Sequence, residues 1–241
     1  MNIQVVQSYE QLSRIAAYII ASQIVTNPRT IFGTASGSTS IGVYSELSEL
    51  YDAGYLDFSK VKIFNLDEFL GLDKSHEQSR YNFIKTNLVD RINMPVENFN
   101  IPNGTATEIF AECKRYEKLI DSSGGIDLQL LGIGVNGHIG FNEPGDFFTP
   151  YTYLADLEDD TRKSNLSFFE ELDQVPRQAF SVGIGTIMRA RKILLVAEGY
   201  EKAWAIKEMI QKRVTPGMPA SILQFHADAT ILIDEAAASM L

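Results

Sequence analysis

One stretch constrains this chain more than any other: Asp127-Leu-Gln-Leu-Leu-Gly-Ile-Gly-Val-Asn-Gly-His-Ile-Gly-Phe-Asn-Glu-Pro-Gly145. Its first part is a short apolar run, Leu128, Leu130, Leu131 and Ile133, bounded by glycines, and it reads as a buried strand. Its second part is a glycine-rich loop carrying one histidine (His138), one carboxylate (Glu143) and two amides (Asn136, Asn142). Gly132, Gly134 and Gly137 also satisfy G-x-G-x-x-G. A dinucleotide site needs a helix to open at that loop, so that its N-terminus meets the pyrophosphate. Here Gly140, Pro144 and Gly145 follow at once, and Pro144 biases the residue before it away from helix. The expectation is therefore a polar loop at the C-terminal edge of a strand, where open α/β sheets place their ligands.

Strand and helix patterns alternate along the rest of the chain. Ser8 with Gln11 forms a capping box, and Leu12, Ile15, Ala16, Ile19 and Ile20 recur at helical spacing, so residues 9–25 are predicted helical. Strands are expected at 30–32, 61–64, 192–197 and 230–234, with a strand and turn at 180–186. Helices are expected to about residue 51, at 76–92, at 107–121, and in a segment carrying Trp204 and Met209 whose first turn holds Lys202. This alternation predicts an α/β fold of three layers: a doubly wound, mostly parallel sheet with helices on both faces, formed by residues 1–241 as a single domain.

Charge and cysteine content narrow the function. A net charge of −10 argues against general nucleic-acid binding, which needs a basic surface. It does not oppose an anionic small ligand, because a local loop makes its own positive potential. The one cysteine, Cys113, rules out an intrachain disulfide and any multi-cysteine metal site, and it fits a reducing compartment. No basic leader with an apolar run is read at the N-terminus, and no stretch approaches 18 apolar residues. The expected location is cytoplasmic, with no membrane partner.

Several loops follow predicted strands. Gly33-Thr-Ala-Ser-Gly-Ser-Thr-Ser40 leads into a helix, and Ser36, Gly37, Ser38 and Thr39 there can offer N–H and O–H groups to an anion. A capped turn without a ligand explains the same residues. The loop lacks the Gly-Lys-Ser/Thr ending of a nucleotide P-loop. Asp67, just past the strand at 61–64, is a candidate general base. Equally, Asp67 or Glu68 caps the next turn. Lys202 follows a strand end too, although a lone helical lysine is commonly a solvated charge. Neither His76 nor His226 has a partner at metal-ligand spacing, and both read as structural. Residues 146–161 lack Lys and Arg and carry aromatics among acids, which suits a flap or a partner surface.

Three of these segments together resemble the glucosamine-6-phosphate deaminase family: Gly33–Thr39, Asn65-Leu-Asp-Glu-Phe-Leu-Gly-Leu72, and Gly132–Gly145 with its Phe-Asn-Glu-Pro ending. The sister lactonases of the fold are similar through Gly-His but then diverge. The likeness runs from about Ile31 to Ala236. It implies a modified Rossmann-like sheet, with no metal and no dinucleotide cofactor, acting on an amino-sugar phosphate as a monomer or homo-oligomer. It also implies roles. Asp67 moves a proton between C2 and C1 of the opened sugar, and His138 opens the ring. Asn136 and Glu143 orient and charge-tune that histidine, and Ser36–Thr39 with Lys202 hold the phosphate. The implied reaction is glucosamine 6-phosphate and water to fructose 6-phosphate and ammonia. A galactosamine-6-phosphate isomerase or a non-catalytic sugar-phosphate sensor are the alternatives.

Two departures stand out. Asn136 fills a position where many members of the family carry Asp. Ser167 fills a position where the resemblance expects a phosphate-binding arginine, a loss of ~1.5–3 kcal/mol unless another group such as Arg162 or Arg177 compensates. The stretch after Pro144 lacks the basic residues that ring an allosteric pocket in regulated members, and the chain ends early. No activation by an N-acetylated sugar phosphate is therefore expected.

Overall fold

The computed structural model describes residues 1–166 and 169–241. Ser167 therefore lies outside the described residues. The elements in chain order are β1 (Asn2–Val6), α1 (Tyr9–Thr26), β2 (Ile31–Thr34), α2 (Ser38–Asp52), β3 (Lys62–Asn65) and β4 (Asp67–Phe69). Then come α3 (Arg80–Asn87), β5 (Phe99–Asn100), α4 (Ile109–Ser122), β6 (Leu128–Leu131), β7 (Tyr153–Asp156) and α5 (Asp159–Asn165). The last are β8 (Gln178–Ser181), α6 (Ile184–Met188), β9 (Lys192–Ala197), α7 (Ala203–Gln211) and β10 (Ala229–Asp234).

Seven strands form one parallel sheet in the order β1-β10-β9-β6-β2-β3-β5. Helices cover both of its faces, as the alternating pattern predicts. The central strands read as continuous apolar runs because both faces are buried: Leu194, Leu195, Ile231, Leu232, Leu130 and Leu131 are all inaccessible. From β2 the chain moves outward to β3 and β5, then returns to β6 on the other side. The strand order thus reverses between β2 and β6, which opens a crevice at their C-terminal ends.

A second sheet, antiparallel and of order β4-β8-β7, sits at that end. The two sheets share a chain segment. β3 ends at Asn65, Leu66 turns the corner, and β4 begins at Asp67. Leu66 is held on both sides: its N–H donates to the Thr34 carbonyl, and its own carbonyl accepts from Val182 N–H. A small apolar cluster of Phe69, Phe141, Ala155, Leu157 and Ala179 backs the second sheet.

Some expectations need correction. The helix expected over 76–92 is confined to Arg80–Asn87, because the Ser79 hydroxyl caps it by accepting from Asn82 N–H. A separate 3-10 turn follows at Val89–Arg91. Lys202 closes a 3-10 turn just before α7 rather than standing inside that helix. The edge strand β1 was not foreseen; four of its five residues are exposed, so no apolar alternation marks it. Residues 146–161 contain β7 and the start of α5. They are pinned where the Glu117 carboxylate accepts from the Thr152 N–H and hydroxyl. Among the described residues no helix is long and apolar enough to cross a membrane.

Candidate active site

Four loops, after β2, β3, β6 and β9, meet at the crevice and line a cleft of about 330 Å³. Ser36, Gly37, Ser38, Thr39, Asp67, His138 and Lys202 all lie on its wall. The structure thus brings together residues that are 166 positions apart in sequence, from Ser36 to Lys202.

The loop after β2 is braced from below. The Tyr44 hydroxyl donates to the Ala35 carbonyl at 2.7 Å, and the Ser40 hydroxyl donates to the Gly37 carbonyl at 2.6 Å. Gly37 caps α2 without a side-chain hydrogen bond, so the first N–H groups of that 15-residue helix face the cleft uncapped. Helix N-termini of this kind favour anions.

Asp67 and Glu68, adjacent in sequence, separate their duties. Glu68 caps α3: its carboxylate accepts from the N–H groups of Phe69, Arg80 and Tyr81, each at 2.9 Å. Burial nevertheless raises its pKa to about 7. Asp67 turns to the cleft, where the Ser36 hydroxyl donates to its Oδ1 at 2.9 Å and Arg80 Nε lies 4.0 Å away. Only 6% of Asp67 is exposed. Burial raises its pKa, against the opposing pull of Arg80, the Ser36 hydrogen bond and His138.

His138 is held through Nδ1. That nitrogen lies 2.8 Å from Asn136 Oδ1, 3.2 Å from Thr161 Oγ1 and 3.4 Å from Glu143 Oε2. Amide and carboxylate oxygens only accept, which fixes the neutral ring with its proton on Nδ1. The Asn136 amide in turn donates to Glu143 Oε2 at 2.9 Å and to Glu158 at 3.3 Å. Burial pushes the Glu143 pKa up, but the hydrogen bond and charge of His138, with Thr161 and Asn136, outweigh it and hold the carboxyl below its usual value. Asn136 and Glu143 thus stand behind the imidazole, in contact with its Nδ1.

Gly134 and Gly137 make this packing possible. A Cβ on Gly134 would lie 2.2 Å from the His138 ring atoms Cε1 and Nδ1. Gly137 has φ of +87°, a region that disfavours side chains. Within the described residues 132–145 no helix opens, so the G-x-G-x-x-G match lacks the helix that a pyrophosphate site requires.

The remaining candidates fall elsewhere. His76 is exposed and its Nδ1 accepts from Gln78 N–H; His226 is buried and bonded to the Ala190 carbonyl. Arg162 is spent on the Leu172 and Val175 carbonyls, and Arg177 is exposed. Neither lines the cleft. Arg80, Thr161, Glu198 and Glu201 were missed from sequence. Arg80 is 3% exposed and on the cleft wall, yet at a helix start it has the signature of a surface charge.

A doubly wound sheet whose switch point carries an anion-favouring loop, a buried carboxylate and an oriented imidazole is the make-up of an enzyme that moves protons on a small anionic substrate. Over residues 7–232 the chain matches the family of glucosamine-6-phosphate isomerases and 6-phosphogluconolactonases, and it belongs to that family. It is 48% identical over 241 residues to the glucosamine-6-phosphate deaminase of Alkaliphilus oremlandii, covering 100% of both chains. The glucosamine-6-phosphate deaminase of Clostridium botulinum (strain Kyoto / Type A2) is likewise 48% identical, over 100% of this chain and 99% of its own. Among solved structures, a monomeric glucosamine-6-phosphate deaminase superposes with a TM-score of 0.98 at 41% identity, over 100% of each chain. The 6-phosphogluconolactonase of Trypanosoma brucei shares the fold, with a TM-score of 0.77 at 18% identity.

Proposed function

We propose that this chain is a cytoplasmic enzyme that converts glucosamine 6-phosphate and water to fructose 6-phosphate and ammonia, its 241 residues acting as one domain. The observation that carries the reading is the shared cleft: a buried aspartate and an oriented histidine face the same space as the serine-rich loop and Lys202. In this reading the phosphate rests on the N–H and hydroxyl groups of Ser36, Gly37, Ser38 and Thr39, with Lys202 as counter-charge. With Nδ1 engaged, His138 exchanges protons through Nε2, moving one from the anomeric hydroxyl to the ring oxygen as the sugar opens. Asp67 then takes the proton from C2 and returns it to C1. The intermediate enolamine becomes a C2 imine, which water hydrolyses to the ketone with release of ammonia.

This assignment makes a direct demand. Purified protein given glucosamine 6-phosphate is expected to release ammonia and form fructose 6-phosphate in equal amounts. Release from galactosamine 6-phosphate alone would move the reading to the galacto epimer, and release from neither would end it.

A pH dependence follows from Lys202. Burial pulls its pKa below that of an ordinary lysine, while Glu201 and Glu198 pull the other way. The charge is present at neutral pH and is lost as pH rises through the lowered value. KM for the phosphorylated sugar should therefore begin to climb before pH reaches ~10.4, the ordinary lysine value. A KM–pH profile checks this, and a flat alkaline arm would remove Lys202 from the phosphate site.

A further inference from the structure

The chemistry above makes little use of Arg80, the arginine on the cleft wall among its described residues. The geometry points to Arg80 as a substrate ligand that grips the anionic end of the bound sugar together with Lys202; this rests on the sugar-phosphate reading of the cleft. The guanidinium is fixed before any ligand arrives. It lies over the Phe69 ring at 4.5 Å from the centroid and near Phe141 at 5.8 Å. Its terminal NH2 donates to Asn165 Oδ1, and Asn165 also lines the cleft. Its Nε lies 4.0 Å from Asp67 Oδ1, the same oxygen that accepts from Ser36 at 2.9 Å. The head group is thus one carboxylate away from the first residue of the anion-favouring loop.

Electrostatics give this cation a task. The wall carries three carboxylates, Asp67, Glu198 and Glu201, which oppose a dianionic ligand. Lys202 alone is a weak counterweight, since Glu198 and Glu201 lie just before it in sequence and on the same wall. A guanidinium stays protonated across the working pH range and presents a planar fork that matches phosphate oxygens two at a time. Arg80 is buried to 3% exposure yet lines the same cleft wall as Asp67, so its head group stands where a ligand in the cleft can meet it.

The test uses Arg80→Met and Arg80→Lys in steady-state kinetics with glucosamine 6-phosphate, and inorganic phosphate as a competitive inhibitor. Arg80→Met is expected to raise both KM and the phosphate inhibition constant by ~10- to 100-fold, with a smaller change in kcat and partial rescue by lysine. A fall in kcat with an upward-shifted acid limb, and no change in KM or in phosphate inhibition, would overturn the inference. Arg80 would then act only on Asp67. Should the methionine variant not fold, the unaltered protein decides the matter in a crystal with a reduced, unreactive amino-sugar phosphate. A guanidinium nitrogen within ~3.5 Å of a phosphate oxygen supports the inference, and a larger separation refutes it. If the unaltered enzyme turns over no amino-sugar phosphate, the reading of the reaction fails. Phosphate inhibition of other activity is then lost as a readout, and direct phosphate binding to protein with and without Arg80 still judges the anion contact.

Discussion

Replacing Asp67 with Asn is expected to lower kcat for ammonia release by ~10²- to 10⁴-fold, the usual worth of a positioned general base. It should do so without destabilising the fold. Burial raises the pKa of this carboxyl, so the folded state holds its ionised form less well than water does. Above that raised pKa, the ionised group subtracts from stability, and the neutral amide removes the penalty. Against this stands the loss of a partner for Arg80 at 4.0 Å, a distance at which the pair is loose. The melting temperature of Asp67→Asn should therefore match or exceed that of the parent, the pattern of a residue kept for activity at some cost in stability. Measured together, kcat and melting temperature separate the cases. A large fall in both would make Asp67 a structural residue and leave the proposed chemistry without its base.

The second large effect is predicted at a residue with no chemistry of its own. Gly134→Ala places a methyl group 2.2 Å from two atoms of the imidazole, far inside contact distance. The backbone has little room to yield, because Gly134 N–H donates to the His138 carbonyl at 2.9 Å and Gly137 N–H to the Gly134 carbonyl at 3.0 Å. The ring is therefore the part that moves, away from Asn136, Glu143 and Thr161. Overpacking of this kind costs ~1–3 kcal/mol of stability. The loss of an aligned acid–base group should cost ~10²- to 10⁴-fold in kcat. Gly217→Ala is the control, because a Cβ there comes no closer than 3.8 Å to its neighbours and the residue does not line the cleft. Equal activity of the two variants would mean that the position of the ring is unimportant.

What could be read from sequence followed from chemistry written locally. The Asp127–Gly145 segment announces a strand followed by a polar loop because its apolar run, glycines and proline are contiguous. The serine-rich stretch before α2 is legible for the same reason. Arg80 is not, since nothing near it in sequence says that Phe69 and Asp67 will enclose it. The small sheet was equally hidden. Strands β4 and β7 are three and four residues long, and they are defined by pairing with β8, more than a hundred residues beyond β4. The division of labour between Asp67 and Glu68 also had to wait for the structure, since either can cap a turn and only the path of α3 decides which one does.

That small sheet has a consequence for how Asp67 and His138 keep their spacing. Asp67 opens β4, which pairs with β8; β8 pairs with β7, and β7 runs directly into Glu158 and Thr161, which brace the network around His138. Three short strands therefore tie Asp67 to the residues behind His138, a second link across the gap besides the large sheet. A one-residue slip between β7 and β8 would shift Glu158 and Thr161 relative to Asp67, and so change the spacing of the proposed proton donor and acceptor.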